Sequence, residues 1–209
     1  MTPLEVYNKL LDAGATEDYI CNLHSACSPA KEKPYLCGSL RSSVHVIDFD
    51  AFEWKIADAE GRSHEPSVDA VALPEDKECL LFVELKSWEM VLRYHGTEEQ
   101  ISNQAEKYKD AFPRKLLHSM QLCREICESP DALNDCRKGF VFMTDIPTAS
   151  MGIEGFFSDM ETLAATATPA ENRLKDLCRD LGKEALAAVT GINTYYWECR
   201  DFDRQLSRF

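Results

Sequence analysis

The run Cys79-Leu-Leu-Phe-Val-Glu-Leu-Lys-Ser-Trp88 decides how the chain is read. Its consecutive apolar residues imply a strand buried on both faces, as at the centre of a layered sheet. Glu84 and Lys86 interrupt the run. They stand two apart, so on a strand both point to the same face. A carboxylate and an ammonium inside a core are costly unless they are paired or bound to something. The stretch therefore predicts the middle of the fold and a charged site upon it.

Working outward, Ser67 to Leu73 reads as a short strand, joined to the first by the connection Pro74-Glu-Asp-Lys-Glu78. It carries Asp69 among apolar neighbours, and pairing of the two strands sets Asp69 beside Glu84. Adjacent carboxylates repel unless a cation lies between them, and oxygen-only ligands favour Mg²⁺ or Mn²⁺. A lysine next to such an ion orients or helps deprotonate a water, or stabilises charge developing on a phosphate. Downstream, Thr97 and Gln100 have the spacing of a capping box that opens a helix near Glu98, which Pro113 is expected to interrupt or restart. Gln104 and Tyr108, four apart, share one helix face. From Arg114 onward, Leu116, Leu117, Met120, Cys123 and Cys127 form an expected apolar face. Lys107, Lys109, Arg114 and Lys115 make the densest basic stretch. It reads either as a solvated helix face or as a rim that contacts phosphate.

Elsewhere, Thr2 to Ala13 reads as a capped helix ended by Gly14, and Thr16 to about Cys27 as a second helix. Val44 to Ala57 reads as a strand with a bend near Asp48 to Asp50, because Phe52, Trp54 and Ile56 alternate with Glu53 and Lys55. Gly139 to Thr144 is a further strand, Pro147 to Ala167 irregular, Pro169 to Val189 a helix, and Thr194 to Cys199 a last strand. This order predicts an α/β fold with a mixed central β-sheet flanked by helices. The 209 residues suit one domain. Residues 1–39 are expected to supply N-terminal helices and a loop, 40–146 the core, and 147–209 a C-terminal extension.

Asp69, then Glu84-Leu85-Lys86, then Gln104-x-x-x-Tyr108, in that order on strand, strand and helix, resemble the PD-(D/E)xK nuclease superfamily in its RecB-like form. The resemblance covers roughly residues 40 to 146 and implies a restriction-endonuclease-like core, with N- and C-terminal helical additions. It implies that Asp69, Glu84 and the Leu85 carbonyl bind Mg²⁺ or Mn²⁺, and that Lys86 positions the attacking water. Gln104 and Tyr108 would line the site and touch the substrate backbone, with Lys107 and Lys115 beside them. The implied reaction is hydrolysis of a phosphodiester by in-line attack of water, with DNA the expected substrate. The sequence departs from the pattern in two places. The literal Pro-Asp is absent, Pro66 lying three residues before Asp69. For the acidic residue or histidine often carried ahead of the first core strand, Glu17, Asp18 and His24 are the candidates.

Composition bounds these expectations. The net charge of -13, from 23 Lys+Arg against 36 Asp+Glu, excludes a protein that coats nucleic acid or membrane through bulk charge. It leaves open a nucleic-acid enzyme with a small basic surface, alone or with a basic partner that supplies the DNA-binding surface. It equally leaves open a catalytically inactive member of the same fold that binds a basic protein as an acidic, immunity-type module. The nine cysteines are odd in number and contain no CxxC, so they read as small apolar residues in reduced form. A zinc site from Cys21, His24, Cys27 and Cys37 is a looser alternative. No apolar run approaches the ~18 residues of a membrane span. The first residues lack the pattern of a secretory signal. A cytoplasmic protein with no membrane partner is expected.

Overall fold

The computed structural model describes residues 1–19, 44–86, 97–144, 189, 191–198 and 201–209. Helix α1 (Pro3–Asp12) opens with the expected capping box: Glu5 N–H donates to Thr2 Oγ1 and Thr2 N–H donates to Glu5 Oε2. Val6, Tyr7 and Leu10 form its buried face.

Strand β1 (Glu17–Tyr19) then pairs antiparallel with β2 (His45–Asp48). The sequence suggested a helix beginning at Thr16. The open edge of β2 offers Glu17 to Tyr19 backbone partners, and that tertiary pairing wins over local pattern. The rest of that expected helix, with Cys21, His24, Cys27 and Cys37, lies outside the described residues.

A second correction follows β2. Residues 49–57 are not a strand; helix α2 (Phe49–Glu60) begins there, with Asp48 as its N-cap accepting from Ala51 N–H. Gly61, at φ 66°, closes it in the left-handed conformation. Phe49, Phe52, Glu53 and Ala57 are its buried residues, a spacing of three and four, whereas Trp54 is about half exposed. The helical period governs burial here, and the apparent alternation of Phe52, Trp54 and Ile56 does not.

Strands β3 (Ala70–Ala72) and β4 (Leu80–Lys86) follow, then helix α3 (Glu98–Ile126), strand β5 (Lys138–Thr144), strand β6 (Asn193–Glu198) and the short helix α4 (Phe202–Leu206). Pro113 neither ends nor restarts α3, which is continuous over 29 residues. The proline removes one backbone bond. Phe112, Leu116, Met120 and Cys123, buried on either side of it, hold the helix to the sheet. Leu117, expected on that face, is instead exposed.

Among the described residues, six strands run in the order β1-β2-β3-β4-β5-β6. Neighbours among the first four are antiparallel; β4 to β5 and β5 to β6 are parallel. The sheet is therefore mixed, and β4 is the strand at which it changes sense. Helix α3 provides the crossover that a parallel pair requires. Alternate residues of β4 feed two cores. Leu80 and Phe82 join Val6, Leu10, Phe49, Phe112, Leu116, Phe140 and Phe142 on one face. Leu81, Val83 and Leu85 join Val141, Met143, Trp197, Phe202 and Leu206 on the other. This is the α/β sheet flanked by helices that the pattern predicted. Phe209 meets Tyr195 and Trp197 edge to face, as Phe202 meets Trp197, and Tyr195 is tilted against Trp197, so Tyr195 and Trp197 serve packing in the second core. Gly139 fits there because a Cβ would stand 2.7 Å from the Tyr195 ring and 2.9 Å from Leu81.

Residues 145–188, expected to form a loop and a helix, lie outside the described residues. Among those described, no helix is long and apolar enough to cross a membrane. Cys79, Cys123, Cys127 and Cys136 are buried free thiols, and burial raises the pKa of each. They fill core volume, as the composition suggested.

Candidate active site

Parity along β4 sends Glu84 and Lys86 to the face that carries α3. Glu84 is fully buried. The register pairs Ala70 with Val83, which sets Asp69 opposite Glu84. Asp69 Oδ2 accepts from Leu85 N–H at 2.6 Å, so the carboxylate caps β4 just where β3 begins. Lys86 Nζ lies 2.7 Å from Glu84 Oε1. From α3, Lys115 Nζ donates to both Glu84 oxygens, at 2.8 and 3.0 Å, and stands 3.7 Å from Asp69 Oδ1. Two carboxylates and two ammonium groups thus converge on one point between β3, β4 and α3. Their formal charges cancel, so the acidic excess of the chain lies elsewhere.

The wall of this site is aromatic. Tyr108 and Phe112 stack with ring centroids 5.1 Å apart, and Lys86 Nζ sits 5.6 and 5.9 Å from the two centroids. The rings confine the ammonium and add a cation–π attraction. Burial alone would favour neutral Lys86, but Glu84 and Asp69 more than offset it and raise its pKa. Asp69 moves the other way: burial and then the neighbouring Glu84 push its carboxyl up to about 6, against the pull of Lys86, Lys115 and the Leu85 N–H.

Ser119 fixes the spacing between α3 and the start of β3. Its hydroxyl donates to the Lys115 carbonyl at 2.8 Å and accepts from Val68 N–H at 3.0 Å, and it is fully buried. Ser119→Ala leaves the buried Val68 N–H without that acceptor. It is expected to lower stability by about 1–3 kcal/mol, measurable as a shift of the urea midpoint at unchanged slope.

A second polar cluster lies one turn further along α3. Glu53 of α2, fully buried, meets Arg62, His64 and His118; His64 Nε2 is 3.1 Å from Glu53 Oε2, and His118 Nε2 is 3.3 Å from Glu53 Oε1. Burial would raise the Glu53 pKa, but the Arg62 hydrogen bond, the Glu65 N–H and the Arg62 and His64 charges together lower it. Ser67 Oγ, bonded to Asp50 at 3.2 Å, connects this cluster to the segment that leads into Asp69. These contacts tie α2 and residues 61–69 to α3.

The structure brings together Asp69, Glu84, Lys86 and Tyr108, all named from the sequence. Lys115 is not on a solvent rim; it reaches between the carboxylates. Lys107 is exposed on α3, outside those contacts. Gln104 lies on the same helix, but its side chain is outside the described residues. Glu17 sits on the edge strand β1 and bonds to Tyr7. Phe112 and Ser119 went unnoticed, although Tyr108, Phe112, Lys115 and Ser119 follow one helical stripe, spaced four, three and four.

The donor chemistry fits a hard divalent cation. Asp69 and Glu84 offer carboxylate oxygens, and a cationic group, the Lys115 ammonium, already bonds to Glu84 and stands 3.7 Å from Asp69. Among the described residues no set of three or more His, Cys, Asp and Glu side chains is arranged to hold a metal. A divalent ion here would therefore rest on two carboxylates, completed by backbone carbonyl and water, as small hard cations commonly are.

Comparison with family models, with curated proteins and with solved structures gives no match.

Proposed function

We propose that the protein is a metal-dependent phosphodiester hydrolase, a nuclease of the PD-(D/E)xK type on a restriction-endonuclease-like core, acting on DNA. One observation carries the reading: where the sheet changes sense, Lys86 lies 2.7 Å from Glu84, Asp69 accepts from Leu85 N–H on the neighbouring strand, and Lys115 stands 2.8 Å from Glu84 and 3.7 Å from Asp69. The strand order β2-β3-β4-β5, with its antiparallel, antiparallel and parallel pairings and α3 as crossover, supports the core that the motif implies, with α2 as an addition between β2 and β3. A group of four ionisable side chains, Glu84 fully buried and the other three about one-fifth exposed, is also a poor way to stabilise a core, which argues for use in chemistry.

Asp69, Glu84 and the Leu85 carbonyl would hold Mg²⁺ or Mn²⁺. Bound there, the ion would supply Lewis acidity toward the phosphate oxygen and acidify the attacking water. The remaining work falls to side chains. Lys86, kept protonated by its two carboxylate neighbours and held against Tyr108 and Phe112, donates to the attacking water or to the phosphate oxygen on which charge develops. Tyr108 and Gln104 stand on the helix that overlooks the site, where they would meet the substrate backbone.

The test is incubation of the purified chain with plasmid, linear DNA, single-stranded DNA and RNA, in Mg²⁺ or Mn²⁺, beside Lys86→Met. Cleavage that disappears with chelator and falls roughly 10²–10⁴-fold in the variant supports the reading. Failure to cut any substrate or to bind either metal would favour the acidic protein-binding module instead, a role that suits the net charge of -13.

The elevated Asp69 pKa sets a pH dependence. The folded protein keeps on Asp69 a proton that the unfolded chain releases between 3.8 and about 6. This group's contribution to stability therefore falls as pH rises through that window. The ion needs the carboxylate, so metal affinity and cleavage are expected to rise through about pH 6 and then level off. A rate that declines from pH 5 to 7 would contradict this assignment.

A further inference from the structure

We infer that the Lys115 ammonium is a built-in counter-ion that occupies the cation position between Asp69 and Glu84 and must leave it when a divalent ion binds. The inference rests on the nuclease reading and adds to it a control on metal affinity. Its basis is the difference between the two lysines. Among the described residues, Lys86 Nζ pairs with Glu84 Oε1, and its ammonium is backed by two aromatic rings. Lys115 instead contacts both Glu84 oxygens and reaches toward Asp69 Oδ1. It thus makes the contacts that a cation bridging the pair would make.

Charge balance explains why the two occupants exclude each other. With both lysines in place the group is neutral: two carboxylates against two ammonium groups. Adding a divalent ion at the same point leaves two net positive charges packed within a few ångströms in a largely dry site, where repulsion is strong. One ammonium has to go. Lys86 is confined by Tyr108 and Phe112. Lys115 reaches the site on a long, flexible stem from α3, and its side chain, about one-fifth exposed like that of Lys86, has a route to water. The metal-free fold is thereby protected from the repulsion of two bare carboxylates. The protein then binds its metal less tightly than the carboxylates alone would, and the released ammonium lies next to the position of a substrate phosphate.

The experiment measures Mg²⁺ and Mn²⁺ affinity by calorimetry, without nucleic acid, for the full chain and for Lys115→Met, Lys115→Arg and Lys86→Met. Removing a charge-assisted competitor is expected to tighten binding about tenfold or more in Lys115→Met. The melting temperature of that variant should fall in chelator and recover with metal by more than the wild type gains. Lys115→Arg, whose planar fork holds a carboxylate through two parallel bonds, should bind metal more weakly than wild type. Lys86→Met should change affinity less than Lys115→Met does. Should Lys115→Met fail to fold, the weaker binding of Lys115→Arg still decides. Equal affinity in wild type and the Lys115 variants, or weaker binding in Lys115→Met, overturns the counter-ion role while leaving the metal site in place. Absence of binding in every folded variant overturns the role and the nuclease reading together.

Discussion

Glu84→Gln is expected to reduce metal-dependent cleavage by roughly 10³-fold or more. The substitution is nearly isosteric and keeps an amide oxygen for Lys86 and Lys115, so the loss tests charge more than shape. Without the second carboxylate, Asp69 alone would hold an ion weakly, and two ammonium groups would face one negative charge. The fold should suffer as well, because Glu84 is fully buried and both its oxygens are engaged. Breaking a buried ion group by removing one partner typically costs about 3–5 kcal/mol. Circular dichroism and thermal melting must accompany the assay. An unchanged cleavage rate in folded Glu84→Gln would remove this residue from the active site.

The second large effect separates chemistry from architecture. Asp69→Asn, Glu84→Leu, Lys86→Met and Lys115→Met combined remove two negative and two positive charges and leave none stranded. Desolvating four ionisable groups is costly, and replacement of a buried ion group by apolar side chains of similar size is often neutral or stabilising by about 1–4 kcal/mol. The quadruple variant should therefore melt at or above the wild-type temperature, although Glu84→Leu alone should melt well below it. It should bind no divalent metal and cut nothing. Such a pairing of gained stability and lost activity marks a site kept for function at the expense of the fold. A quadruple variant far less stable than wild type would instead mark the four residues as a structural ion group.

Much of the fold was readable in the sequence wherever one period dominated. The unbroken apolar run from Cys79 to Val83 suits a central strand, and Thr2 with Glu5 and Thr97 with Gln100 announce their helices by capping chemistry. The errors arose where two patterns overlapped. Residues 49–57 carry apolar side chains at both alternate and helical spacing. Asp48 and Gly61, as N-cap and left-handed C-cap, were the deciding signals. Glu17 to Tyr19 became a strand because β2 needed an edge partner, a fact about distant residues that no local window contains. Pro113 misled because packing on both sides of it outweighs one lost backbone bond.

The site divides in the same way. Asp69, Glu84 and Lys86 were legible because charge in an apolar strand has few explanations. Lys115 looked like part of a solvated basic stretch. Its role depends on the turn at which α3 crosses β4, which tertiary packing sets. The charge ledger changed accordingly. The carboxylate pair is already balanced by two lysines of the chain, so the net charge of -13 belongs to the rest of the protein. DNA binding by the isolated chain is then expected to be weak and to depend on metal.

The most direct measurement compares wild type and the quadruple variant, purified in parallel and shown to be equally folded, on one labelled DNA in Mn²⁺. The account predicts strand cleavage by the wild type, abolished by chelator, and none by the variant. No cleavage by either folded protein, or cleavage at the same rate by both, would contradict it.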